Sequence, residues 1–332
     1  MTHMREFGGY IELETFRGEM LHEGAAALNC GRSALAYLCE AKNIQKLYLP
    51  RFLCGSVPEL CKKIDVEYDT YGIDERFMPV FERELGDGEW LYIVNFYGQL
   101  SNETLTVWKK RYKRVIVDNA QSYFQMPADG VDTIYTCRKF FGVADGAFLY
   151  TDAELNREIP QDKSFERMHF LLGRFERSAN EFYSEYVANN KRFAAEPVKR
   201  MSRLTENLLH GIDYEFVRRR RTENFAFLHE QLGERNRLAL TVPDGAFMYP
   251  LYMENGAELR KELQKEKIYI PTLWPAVLDI CRECELEYDM AKNILPLPVD
   301  QRYTTDDMQH IAQRLICLAD EKTDNSSGGK YV

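Results

Sequence analysis

The sequence predicts an α/β chain: a large domain with a mainly parallel sheet between helices, then a small C-terminal α+β domain. Three observations carry that expectation. Through the first half, short β-branched or aromatic runs alternate with helical patterns, the spacing of a parallel sheet covered on both faces. Long helical patterns over 165–193 and 213–234 close this region. After Gly233 the composition shifts to short apolar runs between polar helices. The expected large domain is 1–235 and the small one 236–319, with the polar stretch 320–332 as a disordered tail.

The expected strands of the large sheet are 46–50 (KLYLP), 64–68 (IDVEY), 91–96 (LYIVNF), 115–118 (VIVD), 133–136 (TIYT) and 147–151 (AFLYT). Helices are expected over 33–41, 54–63 and 103–111. In 165–193, Phe165, Met168, Leu172, Phe175, Ala179, Phe182 and Tyr186 recur at steps of three and four. That stripe is expected to pack on the chain's own sheet, with a subunit contact as the alternative. The run Arg218–Arg221 reads as a solvated helix face. Segments 247–252 (FMYPLY) and 267–271 (KIYIP), a helix over 257–266 and a final helix over 305–318 build the small domain.

Composition narrows the function. The 332 residues are 45% hydrophobic and 13% aromatic, enough for a substantial core. A net charge of −9 argues against a nucleic-acid partner. No apolar run reaches the roughly 18 residues of a membrane helix, and MTHMREFGGYIELE lacks a signal peptide's apolar core. A cytoplasmic protein is therefore expected. The eight cysteines are scattered through apolar segments, as reduced thiols are. The single CxxC, Cys281 and Cys284, has no second ligand pair nearby, so no metal is expected.

Two stretches carry chemistry. VIVDNAQSYF ends a strand on Asp118 with Gln121 three residues later, and DTIYTCRKFFGVADG ends another at Arg138 and Lys139. Ligands of such sheets bind beyond the strands' carboxyl ends. Lys139 lies among Phe140, Phe141, Val143 and Ala144, and an apolar setting makes a lysine amine a usable nucleophile. Pyridoxal phosphate needs such a lysine, a carboxylate on its ring nitrogen and a phosphate cup at a helix start. LNCGRSALAYL offers the cup: Gly31 permits close approach, and Ser33 is expected to cap the following helix. Thr136 is placed to reach the phosphate.

NCGRSAL, LPRFLCGSV, NFYGQ, VIVDNAQSYF, YTCRKFFGVADGAFLYT and LPLPVDQRYTTDDM together resemble the DegT/DnrJ/EryC1/StrS aminotransferase family, within the fold-type-I pyridoxal-phosphate enzymes. The resemblance runs from about residue 8 to 318 and implies a seven-stranded type of sheet. It assigns Lys139 to the Schiff base and proton shuttle, Asp118 to the ring nitrogen and Gln121 to the ring hydroxyl. Gly31, Arg32, Ser33 and Thr136 would hold the phosphate, with Thr136 substituting for a family hydroxyl at the position of Ile134. Asp145–Gly146–Ala147 stands where the family writes an acidic–Gly–Gly turn. Phe52 is taken as the aromatic against the ring, with Phe96 and Tyr97 as alternatives. Tyr10 and Trp274 are the substrate-side candidates.

The activity so implied transfers an amino group from an amino-acid donor, glutamate, to a keto-sugar nucleotide or related carbonyl compound, in a homodimer. Two other readings stay open: a lyase or decarboxylase using the same cofactor, and a catalytically silent binding protein on the same scaffold.

Overall fold

The computed structural model of the protein describes residues 7–327, with side chains described through Glu321. Its main sheet has eight strands in the order β1-β8-β7-β6-β5-β2-β3-β4. These are β1 (Ala26–Leu28), β2 (Lys46–Pro50), β3 (Glu67–Ile73), β4 (Pro79–Val80), β5 (Glu89–Val94), β6 (Val115–Asp118), β7 (Asp132–Thr136) and β8 (Ala147–Tyr150). The central strands β3, β2, β5, β6 and β7 run parallel. β8 is antiparallel to β7, and short β1 and β4 are antiparallel at the two edges. The strands at 46–50 and 115–118 fall as expected, whereas that expected at 64–68 begins later, at Glu67. Leu47, Leu91, Ile93, Val115 and Ile116 are almost wholly buried, as a sheet covered on both faces requires.

Helices α1 (Gly31–Ala41), α2 (Ser56–Lys63) and α3 (Asn102–Tyr112) connect these strands. Past β8 come α4 (His169–Glu176), α5 (Tyr183–Ala195), α6 (Arg203–Leu209) and α7 (Tyr214–Leu232). The expected continuous helix over 165–193 does not form. Arg177 is extended (φ −137°, ψ −159°), ending α4. Ser178 then donates from its N–H and its Oγ to Glu181 Oε1 (3.3 and 2.9 Å), starting a new turn. The stripe does not pack on the sheet either. Phe165, Leu172, Phe175 and Tyr186 are exposed, Phe175 at 92%, while Phe182 is buried. The break rotates the two halves relative to each other, so one stripe cannot stay on one face.

The chain then forms α8 (Gly256–Lys265), α9 (Pro275–Ile280), α10 (Leu286–Asn293) and α11 (Thr305–Ser327) around a two-stranded antiparallel sheet. Its strands are β9 (Met248–Tyr252) and β10 (Ile294–Pro298). Segment 267–271 is not a strand: β10 fills that place. α11 extends past 318 into the stretch expected as a tail, of which 328–332 lie outside the described residues. A second core joins Phe225, Leu228 and Leu232 of α7 to β9, β10, α8 and α11. No described helix is long and apolar enough to cross a membrane.

Candidate active site

The carboxyl ends of β2, β5, β6 and β7 form one edge. Parallel register places Asp118 beside Val94 on one side and Ile134 on the other. Side chains two apart on a strand share a face, so Tyr92, Asp118, Ile134 and Thr136 point the same way. α1 covers this face closely: a Cβ on Gly31 would lie 2.9 Å from Thr136 Cγ2. Only glycine fits there, and the fit carries the start of α1 onto the end of β7. Cys30, not Ser33, caps α1, its Sγ accepting from Ser33 N–H at 3.4 Å. Ser33 instead donates from Oγ to Asn29 Oδ1 at 2.6 Å.

Asp118 is held at both oxygens. Ala120 N–H donates to Oδ1 and the Tyr92 hydroxyl to Oδ2, each at 2.8 Å. Tyr92 is buried, and burial together with the Asp118 charge pushes its phenol pKa well above the ordinary value. It therefore stays a neutral donor. Gln121 is 1% exposed. Its Oε1 accepts from Tyr97 N–H at 2.8 Å, which orients the amide, while its Nε2 has no partner. Thr136 Oγ1 is likewise buried and unpartnered. Two polar atoms left unsatisfied at one edge mark a place for a ligand.

Lys139 sits on the loop after β7. Cys137 N–H donates to Gly146 O at 3.0 Å, and Gly146 N–H to Asn29 O at 2.6 Å. Asp145, fully buried, accepts from Ser202 N–H and Ser202 Oγ, each at 2.7 Å, and from Thr205 Oγ1. Gly146 closes the turn with φ +118°, where a Cβ would strike Cys137 and Thr205. Lys139 is exposed, with Nζ 5.4 Å from the Phe247 ring centre. Surrounding protein desolvates the ammonium and lowers its pKa; the Asp118 and Cys54 charges oppose this and Arg138 reinforces it. Lys139, Asp118 and Cys54 thus share one electrostatic neighbourhood.

Other expected site residues are placed differently. Phe52 is fully buried, its ring centre 5.3 Å from each of Phe96 and Trp274. It has no open face to offer a ligand, and in its loop Cys54 is the residue that reaches Lys139's surroundings. Trp274 therefore joins that aromatic cluster. Tyr10 is 97% exposed on an extended N-terminal segment and reaches none of these residues. Arg32 lies at the start of α1 with Nη2 donating to Asn190 O at 2.8 Å.

Sequence reasoning missed Tyr92, although its two-residue offset from Val94, the neighbour of Asp118, was a usable signal. It also misread Arg221, which is buried rather than solvated. Arg221 donates to Ala246 O, Gln301 Oε1 and Phe140 O, the last at 3.1 Å, and Gln301 Nε2 joins it on Phe140 O at 2.9 Å. Together they fix the carbonyl of Phe140, the residue after Lys139.

No protein-family model and no curated protein matches the sequence. Solved structures do match. An aminotransferase of the DegT DnrJ EryC1 StrS group from Brucella abortus superposes with a TM-score of 0.58 at 16% identity, over 89% of this chain and 86% of that one. DesI, solved in the presence of its TDP-sugar product, gives 0.64 at 13% identity, over 92% and 83%. Spr1654 of Streptococcus pneumoniae, in its PLP form, gives 0.60 at 13% identity, over 91% and 89%. The chain shares the fold of these structures. In that fold the edge carrying Asp118, Gln121 and Lys139 lies at the carboxyl ends of parallel strands, the usual ligand position of such sheets. A separate cavity at the amino ends of β2, β3 and β5, lined by Glu40, Lys46, Asp65 and Glu89, contains none of these groups.

Proposed function

We propose that the protein is a pyridoxal-phosphate aminotransferase. It moves an amino group from an amino-acid donor, glutamate, to a keto-sugar nucleotide or related carbonyl compound. The observation carrying this reading is the convergence of Lys139, its pKa lowered, a doubly held Asp118 and the unpartnered Gln121 Nε2 at one sheet edge.

These residues fit the cofactor. Lys139 would attach it covalently, Asp118 would face its ring nitrogen, and Gln121 Nε2 would donate to its ring hydroxyl. Gly31 and Arg32 at the start of α1, with Thr136 Oγ1, would hold the phosphate. Ser33 would contribute through its place in the first helical turn, because its hydroxyl is committed to Asn29. When bound, pyridoxal phosphate supplies an electron sink for the substrate carbon. The lowered pKa of Lys139 raises its neutral fraction near pH 7, so Nζ can both attach and take up a proton. Trp274 would face the substrate from the aromatic cluster. The sugar-nucleotide acceptor is supported by DesI, whose own product is a TDP-sugar. The same reading takes the chain as two domains dividing near residue 235, in a cytoplasmic homodimer. The exposed apolar side chains Phe165, Leu172 and Phe175 supply the kind of patch a subunit contact uses.

The test is an absorption spectrum with added pyridoxal phosphate before and after borohydride, followed by peptide mapping. A visible band that borohydride bleaches, leaving the cofactor fixed on Lys139, is expected, and neither the band nor the adduct should form in Lys139→Ala. A trappable band persisting in Lys139→Ala would overturn the assignment. Turnover confined to simple amino and keto acids would overturn the sugar acceptor.

A further inference from the structure

Three guanidinium groups surround the Phe193 ring of α5. Arg138 Cζ lies 4.6 Å, Arg167 Cζ 5.4 Å and Arg32 Cζ 5.9 Å from its centre. Arg167 has a counter-charge, Asp162, at 2.7 Å. Arg32 and Arg138 make no ion pair with any described residue. Both instead bind Asn190, Arg32 to its carbonyl and Arg138 to its side-chain oxygen. Desolvation lowers the Arg138 pKa; Cys30, Tyr186 and the Asp145 carboxylate oppose this and the neighbouring Arg32 charge adds to it. Two like charges on one platform, neither with an ion-pair partner, repel each other, and an anion between them would relieve that repulsion. Arg32 stands at the start of α1, where the first N–H groups lack helical partners and the helix dipole favours negative charge. The unpartnered Thr136 Oγ1 lies on the same strand end, two residues before Arg138.

We infer that Arg138 and Arg32, held by Asn190 and Phe193, form with the start of α1 a receptor for a phosphate monoester dianion, in which Arg138 supplies the decisive charge from within the same chain. This rests on the cofactor reading above: Arg138 is the residue next to Lys139, so one small ligand can place its phosphate on the first and its carbonyl carbon on the second. α5 then acts as the platform on which the phosphate site is aligned, a role the sequence alone does not suggest. A planar guanidinium offers two parallel donors to phosphate, which a lysine cannot.

The experiment compares wild type, Arg138→Gln, Arg138→Lys and Asn190→Ala. Each is checked for folding by circular dichroism and titrated separately with pyridoxal phosphate, pyridoxal and inorganic phosphate. Arg138→Gln is expected to weaken pyridoxal phosphate by about 10- to 100-fold, the usual loss for a charge-assisted hydrogen-bonding group. It should leave pyridoxal within about twofold and abolish competition by inorganic phosphate. Arg138→Lys should restore only part of the loss, and Asn190→Ala should weaken pyridoxal phosphate in the same selective way. Equal weakening of pyridoxal and pyridoxal phosphate, or no change in either, would overturn the inference while leaving the cofactor reading intact. If wild type takes up inorganic phosphate through Arg138 but never attaches pyridoxal phosphate, the receptor stands and the cofactor reading falls. If it takes up neither, both fall.

Discussion

Replacing Tyr92 by Phe isolates one hydrogen bond at the centre of the site. The buried ring stays, and only the donor to Asp118 Oδ2, at 2.8 Å, is lost. A hydrogen bond to a charged acceptor is worth about 1.5–3 kcal/mol. Asp118 is half-buried and keeps Ala120 N–H on its other oxygen, so water can compensate in part and the lower end applies. We expect a loss of about 1.5 kcal/mol, a fall in Tm of roughly 3–6 °C by the scaling for large domains. Asp118 then has one anchor rather than two, so its carboxylate samples other orientations. Pyridoxal phosphate should bind about 3- to 10-fold more weakly in an absorbance titration, and the visible band should shift. The phenol's pKa lies well above the ordinary value, so the variant's deficit should be constant from pH 6 to 9. A variant with unchanged melting and cofactor affinity would show that water fully replaces the hydroxyl, refuting its orienting role. A deficit that vanished toward pH 9 would show that the phenol had been ionising.

Burial lowers the pKa of His22 from 6.5 to about 4, opposed by its hydrogen bond to Tyr123 O. Between those values the unfolded chain binds the proton first, so stability is full above about pH 6.5 and is lost as pH falls to 4. The loss is on the order of 3 kcal/mol; urea midpoints at pH 7 and 4.5 should differ in wild type and converge in His22→Gln. Glu287 Oε1 accepts from both Arg51 Nη2 and Ile73 N–H at 3.1 Å, tying α10 to the ends of β2 and β3. Glu287→Ala should cost about 2–3 kcal/mol in urea unfolding, below the fully buried range because Arg51 is partly exposed; a cost under 0.5 kcal/mol would show the tie to be incidental.

Strand content was legible because buried parallel strands are short, apolar and bounded by polar turns. The position of Asp118 followed from the strand it ends. Other features needed three dimensions. The stripe from Phe165 to Tyr186 keeps its spacing across a break at Arg177, and spacing alone cannot reveal the break. Phe52 occupies a plausible loop, but which side of that loop is closed off depends on Phe96 and Trp274, distant in sequence. Arg221 was legible after all. Val217, Arg221, Asn224, Phe225, Leu228 and Leu232 form the buried stripe of α7 at steps of three, four and one, and Arg221 falls on it. Reading the four arginines as one charge block hid a member belonging to the core.

The site is costly to the protein on its own. It holds a lysine whose pKa the surrounding protein lowers, two adjacent guanidiniums without an ion-pair partner, and buried unpartnered atoms on Gln121 and Thr136. Each unsatisfied buried group costs about 1–3 kcal/mol, and the like charges add repulsion. Neighbouring carboxylates have their partners: Asp145 takes three donors, and Asp162 pairs with Arg167. On the reading proposed above, the unmet demands at this edge would share one solution, a ligand with a dianion at one end, a polar ring and a carbonyl to meet Lys139. Because that ligand relieves the costs of the folded state alone, its binding must also raise stability against unfolding.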